Sequence, residues 1–105
     1  MQVMRQMIFP TSNQITLTGV LYAFSDPTRL EIVRQLATEG EKACCEFGFK
    51  ISKSTLSHHF KVLRDTGVVY TRTEGTQSVN SIRREELEDR FPGLLDTILK
   101  AATIS

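Results

Sequence analysis

The 105-residue sequence predicts a mainly α domain with one small β-hairpin. Three observations predict it. Residues 52–67, Ser-Lys-Ser-Thr-Leu-Ser-His-His-Phe-Lys-Val-Leu-Arg-Asp-Thr-Gly, are apolar at helical spacing on one face and small, polar and cationic on the other. Straight after Gly67 the period shifts from 3.6 towards 2, as a helix gives way to strands. Upstream, Ser25-Asp26-Pro27 separates two further segments with helical apolar spacing.

Residues 1–14 read as an N-terminal arm interrupted by Pro10. Leu17, Val20, Leu21 and Phe24 recur at helical spacing and predict a first helix over 15–24. Asp26 suits an N-cap, because its carboxylate can accept from the free N–H groups of a first turn. Pro27 suits the first helical position, where its φ is already set. Leu30, Ile32, Val33, Leu36 and Ala37 carry this second helix to about Thr38, and Gly40 ends it. Residues 43–49 predict one or two helical turns. Ser52 then caps the helix that Gly67 terminates. The short helical segment and the 52–66 helix, joined by a tight turn, form a helix-turn-helix that presents its second helix outward. Val68 to Thr73 favour a strand, Glu74-Gly75-Thr76 a turn, and Gln77 to Ile82 a returning strand. A hairpin placed straight after a recognition helix is a wing, so the arrangement is a winged helix-turn-helix. The last segment, 85–105, is helical, with Glu85 and Glu86 loading its first turn as the helix dipole favours. Pro92 kinks or restarts it near Phe91.

The length fits one domain and the 40% hydrophobic content a globular one. No apolar run of about 18 residues occurs, and the N-terminus makes a poor signal peptide, so a cytoplasmic protein without a membrane span is expected. Charge is unevenly distributed. Residues 50–84 hold seven Lys/Arg and two Asp/Glu, whereas 1–49 hold four and five, and 85–105 two and five. A basic middle between acidic ends is the footprint of a polyanion on one face. No nucleophile elbow or phosphate-cradling glycine loop occurs, so no enzyme is expected.

The front of the 52–66 helix carries Ser52, Lys53, Ser54, Thr55, Ser57, His58 and Lys61, while Leu56, Phe60, Val62 and Leu63 form its back. Short hydroxyls let a backbone approach base edges in the major groove, and cations meet phosphates. The plainer alternative is an ordinary amphipathic surface helix, but such helices carry Glu and Lys outward. Arg72, Thr76 and Gln77 in the wing are the further DNA candidates. His59 reads as a packed histidine, and Arg29 either as a phosphate contact or as a partner of Glu31 or the next helix. Leu87, Phe91, Leu94, Leu95, Ile98, Leu99 and Ala102 form a wide apolar stripe on the last segment. So small a domain offers little core to cover it. Leu87, Phe91, Leu94, Leu95 and Ile98, with Leu17 and Leu21 of the first helix, are therefore assigned to a subunit contact.

Three pieces together resemble the ArsR/SmtB family of bacterial winged-helix repressors: Phe24-Ser-Asp-Pro-Thr-Arg-Leu-Glu-Ile32, Ser54-Thr-Leu-Ser-His-His-Phe-Lys-Val-Leu-Arg64, and Gly67-Val-Val69 leading into the wing. The resemblance covers most of residues 15–100. It implies a homodimer built through the first and last helices, bound to a palindromic operator in double-stranded DNA and blocking transcription until an effector arrives. Metal-sensing members carry Cys-x-Cys, or His and acidic ligands on the last helix. Here Cys44 and Cys45 are adjacent, and both histidines lie in the recognition helix, so no metal and no cofactor are expected. The cysteines read first as small apolar side chains near the turn, with Lys42 close enough to favour a thiolate if they sense oxidants or thiophilic species. The sequence names no effector and shows no small-molecule pocket. A winged-helix module that binds another protein instead of DNA is the alternative function.

Overall fold

The computed structural model describes residues 9–104. Its elements are α1 (Leu17–Ala23), α2 (Pro27–Glu39), β1 (Lys42–Ala43), α3 (Lys53–Asp65), β2 (Val69–Glu74), β3 (Gln77–Ile82), α4 (Arg84–Arg90) and α5 (Leu94–Ile104), with 3-10 turns at Ser12–Gln14 and Cys44–Glu46. Most of the arm expected at 1–14 lies outside the described residues.

Capping side chains set the starts of α1, α2 and α3, those of α2 and α3 being the ones read from the sequence. Thr16 accepts from the Gly19 N–H at 3.0 Å and opens α1. Asp26 accepts from the Thr28 and Arg29 N–H groups at 2.9 and 3.1 Å, with Pro27 at the first position of α2. Ser52 accepts from the Thr55 N–H at 3.1 Å and opens α3. Gly67 closes α3 at φ +87°, and it is also a close approach: a Cβ there would lie 2.5 Å from Cγ1 of Ile15.

Two elements differ from the expectation. The sheet has three antiparallel strands in the order β1-β3-β2, not two. Lys42 and Ala43 pair with Asn80 and Val79 before the chain turns once through the 3-10 segment, so the helical turn expected over 43–49 covers three residues only. The first helix of the expected helix-turn-helix pair is thus a single 3-10 turn, and residues 47–52 lead on to α3. The last segment restarts where Pro92 was expected to interrupt it: α4 and α5 are separated at Phe91-Pro92-Gly93, because Pro92 has no N–H to continue α4. In the wing, Val69 faces Ile82 and Glu74 faces Gln77, leaving Gly75-Thr76 as a two-residue turn with Gly75 at φ +61°.

The core lies where α1, α2, α3 and the root of the wing meet. Ile15, Val20, Ile32, Val33, Phe60, Leu63, Val68 and Val69 are all at most 1% exposed. Each such side chain contributes about 1.5–3 kcal/mol by leaving water. Phe47 meets Phe60 edge-on at 5.4 Å and stacks on Phe49 at 6.1 Å, which ties the segment after β1 to the back of α3. Leu87 and Leu95, assigned from sequence to a subunit contact, are each 3% exposed and belong to the protomer's own core. α4 and α5 fold back onto the body and bury them. Leu17 and Leu21 remain 46% and 45% exposed.

Candidate nucleic-acid interface

The polar face of α3 is open along its length. Ser52, Lys53, Ser54, Thr55, Ser57, His58 and Lys61 are all exposed, while His59, Phe60, Val62 and Leu63 are buried. Ser52 has a structural task in addition: its hydroxyl donates to Thr55 Oγ1 at 2.8 Å while accepting from the Thr55 N–H. The Thr55 hydroxyl is thereby used as an acceptor, and its own proton stays free to donate outward. Ser57 and His58 make no hydrogen bond among the described residues. Lys61 pairs with Asp65 at 2.7 Å, but both side chains are more than half exposed, so the pair is weak and exchangeable for a phosphate.

The orientation of α3 is fixed from behind by a buried arginine. Arg29 is 5% exposed. Its Nε donates to the Ala23 carbonyl at 2.9 Å, and Nη2 to that of Tyr22 at 3.1 Å, which satisfies the C-terminus of α1. Its Nη1 lies 3.2 Å from Nδ1 of His59 in α3. A guanidinium has no acceptor, so Nδ1 must accept, and the neutral ring then carries its proton on Nε2. That nitrogen faces Asp26 Oδ2 at 3.7 Å. Arg29 is thus a structural joint between α1, α2 and α3 rather than a phosphate contact. Glu31, its other suggested partner, is taken by Arg34 and Gln35.

The wing holds a second departure. Arg72 does not point freely towards a polyanion. Its guanidinium donates to both Glu41 oxygens at 2.7 and 2.9 Å and to Glu74 at 2.9 Å. These bonds hold the Glu41 carboxyl below its ordinary range and raise Arg72 above its own. Arg72 therefore joins the wing to the residue before β1, and Thr76 and Gln77 are the exposed polar groups at the tip. Beneath the wing, Thr71 donates to Asn80 Oδ1 at 2.7 Å, and Asn80 donates to the Lys42 carbonyl at 3.2 Å and to Cys44 Sγ at 3.4 Å. Asn80 is fully buried and holds β1 in the sheet. Nothing at position 80 in the sequence singled it out.

Ion pairing reduces the basic footprint. Arg83 pairs with Glu86 and Arg84 with Asp96. Of the cations in 50–84, Lys50, Lys53 and Arg64 have no carboxylate partner among the described residues. Cys44 is half-buried against the core, as its packing reading requires, whereas Cys45 is exposed. Lys42 does not serve the thiols: its ammonium bonds Gln35 and Glu39 at 2.7 and 2.8 Å and lies over the Phe47 ring. Among the described residues no group of three or more His, Cys, Asp or Glu side chains is placed to hold a metal. No helix among them is long and apolar enough to cross a membrane.

A hydroxyl-rich exposed helix, anchored from behind and followed by a wing, defines a winged-helix DNA-binding transcriptional regulator. Residues 26–71 match the model of the bacterial regulatory protein, arsR family. Over 82 residues the chain is 39% identical to the uncharacterized HTH-type transcriptional regulator YceK of Bacillus subtilis, covering 75% of this chain and 82% of that one. It is 39% identical over 74 residues to an arsenical resistance operon repressor of Staphylococcus xylosus, covering 69% and 70%. Among solved structures it is similar to the transcriptional repressor BigR from Xylella fastidiosa, with a TM-score of 0.64 and 29% identity over 81% of this chain and 84% of that one. The chain belongs to the ArsR family.

Proposed function

We propose that this regulator is a cytoplasmic, non-enzymatic repressor that binds a palindromic operator as a homodimer. The observation that carries the reading is the exposed front of α3, where Lys53, Ser54, Thr55, Ser57 and His58 offer donors and no carboxylate. In this reading Thr55 and Ser57 read base edges, Lys53 and Lys61 meet phosphates, and the wing tip at Thr76 and Gln77 rests on the backbone beside them. Leu17 and Leu21, with the half-buried Phe91, Leu94 and Ile98, supply the subunit contact. Thiol chemistry, where it acts, belongs to the exposed Cys45 rather than to Cys44, whose sulfur accepts from Asn80.

Selection of bound genomic fragments, followed by titration at several salt concentrations, tests the reading. Lys53→Ala should weaken binding to every duplex and lower the salt slope by about 1. Thr55→Ala or Ser57→Ala should cost about 1–3 kcal/mol on the selected site and little on unrelated DNA. Half-sites should lie about 10–10.5 base pairs apart, or a multiple of that. Folded variants with unchanged affinity would favour the alternative, a protein-interaction module.

A further inference from the structure

The recognition helix has a third side, between its apolar back and its polar front. Lys53, Leu56, Phe60 and Arg64 fall along it, and they wall a cleft of about 320 Å3 that Cys44 and Cys45 close opposite. That volume is at the small end of the range for small-molecule sites, about 300–1,000 Å3. Among the described residues no acidic side chain lines the cleft. Arg64 is half-buried, yet its donors have no acceptor among the described residues. Among the other described arginines, Arg34, Arg72 and Arg84 bond carboxylates and Arg29 backbone carbonyls, while Arg83 bonds Glu86 through Nε and Nη2 and leaves its buried Nη1 without a partner. A guanidinium left without a protein acceptor above an apolar floor suits an anion that brings its own apolar body.

We propose that this cleft binds a small amphipathic organic anion, a carboxylic acid with a one- or two-ring body. The body lies against Leu56 and Phe60, and the carboxylate is held by Arg64 near Lys53. Lys53 faces both the cleft and the proposed DNA surface, so an anion seated beside it removes a charge that phosphate needs. Ligand and DNA then weaken each other by the same factor. This antagonism rests on the DNA-binding reading; occupancy of the cleft does not.

The probe is 2-naphthoate, with 2-naphthamide as its neutral counterpart, titrated calorimetrically into the full chain without DNA. The acid should bind at least tenfold more tightly than the amide. Arg64→Gln should bring the acid down to the level of the amide, with unchanged circular dichroism. Cys45→Phe, which fills the cleft from an exposed position, should abolish binding, and saturating naphthoate should slow alkylation of Cys45 by iodoacetamide at least threefold. Equal binding of acid and amide, an Arg64→Gln protein that keeps the preference, or unprotected Cys45 would overturn the site. Naphthoate should also raise the protein concentration needed to half-saturate duplex DNA at least threefold. Unchanged DNA binding with a filled cleft overturns the antagonism alone. Absence of duplex binding in the ligand-free protein overturns the DNA reading, while calorimetry still decides the cleft.

Discussion

At the residue scale, Arg29 shows how one side chain can be read two ways until its neighbours are known. A surface arginine near a DNA-binding helix contacts phosphate; a buried one must have its donors met inside the protein. Arg29 bonds two α1 carbonyls and His59, so its loss leaves those acceptors unpaired. Arg29→Ala should cost about 1–3 kcal/mol in urea unfolding and leave the salt slope of DNA binding unchanged, which a phosphate contact would not do. Gly67 is constrained twice, by its positive φ and by Ile15 pressed against its Cα. Gly67→Ala should destabilise by about 2–4 kcal/mol in the same measurement. The termination signal at Gly67 was legible in the sequence, but the contact with Ile15 was not, because 52 positions separate the two along the chain.

At the element scale, α4 is tied to the start of the chain by a cluster around Glu86. Arg83 donates to Glu86 at 2.7 and 2.8 Å, Ser12 donates at 2.6 Å, and Arg90 donates to the Ser12 carbonyl at 2.6 Å. Arg83 first and Ser12 second hold the Glu86 carboxyl down at about 2, from an ordinary value near 4.5. A carboxyl depressed in the folded state stabilises above its unfolded value, and that stability is lost as pH falls through the folded one. Glu86→Gln should therefore be less stable than the parent at pH 7, with the gap closing between about pH 4.5 and pH 2 in thermal unfolding series. The helix start at Glu85-Glu86 was visible in sequence as a charge pattern. The clamp was not, since Ser12 lies in an arm with no periodicity. The wing divides in the same way. Its two long strands follow from alternation and a glycine turn, whereas β1 is two residues of no strand character, recruited because Asn80 offers Lys42 a hydrogen bond.

At the scale of the whole molecule, the apolar residues assigned from sequence to a subunit contact are split between two purposes. Leu87 and Leu95 complete the protomer's core, while Phe91, Leu94 and Ile98 are only half-buried and Leu17 and Leu21 on α1 stay open. The two classes should respond differently to charge. Leu21→Asp should leave a folded protein that sediments as a monomer and binds its operator weakly. Leu95→Asp should lose the folded state by circular dichroism, because it buries an unpaired carboxylate. Folded monomers from Leu95→Asp, or dimers from Leu21→Asp, would reverse that division.

The sequence by itself determined the longer helices, the caps of α2 and α3, the two long strands of the wing and the polar front of α3. Each is a local matter of spacing, capping or turn chemistry, settled within a few residues. Tertiary structure alone decided which part of the apolar stripe is core, that Arg29 is a joint and Arg72 a tether, and that Arg64 stands beside a cleft with no partner among the described residues. Those outcomes depend on which surfaces meet. The same leucine reads alike in a core or on an interface until a neighbour covers it, and an arginine's role is set by whichever acceptor the fold brings within 3 Å of it.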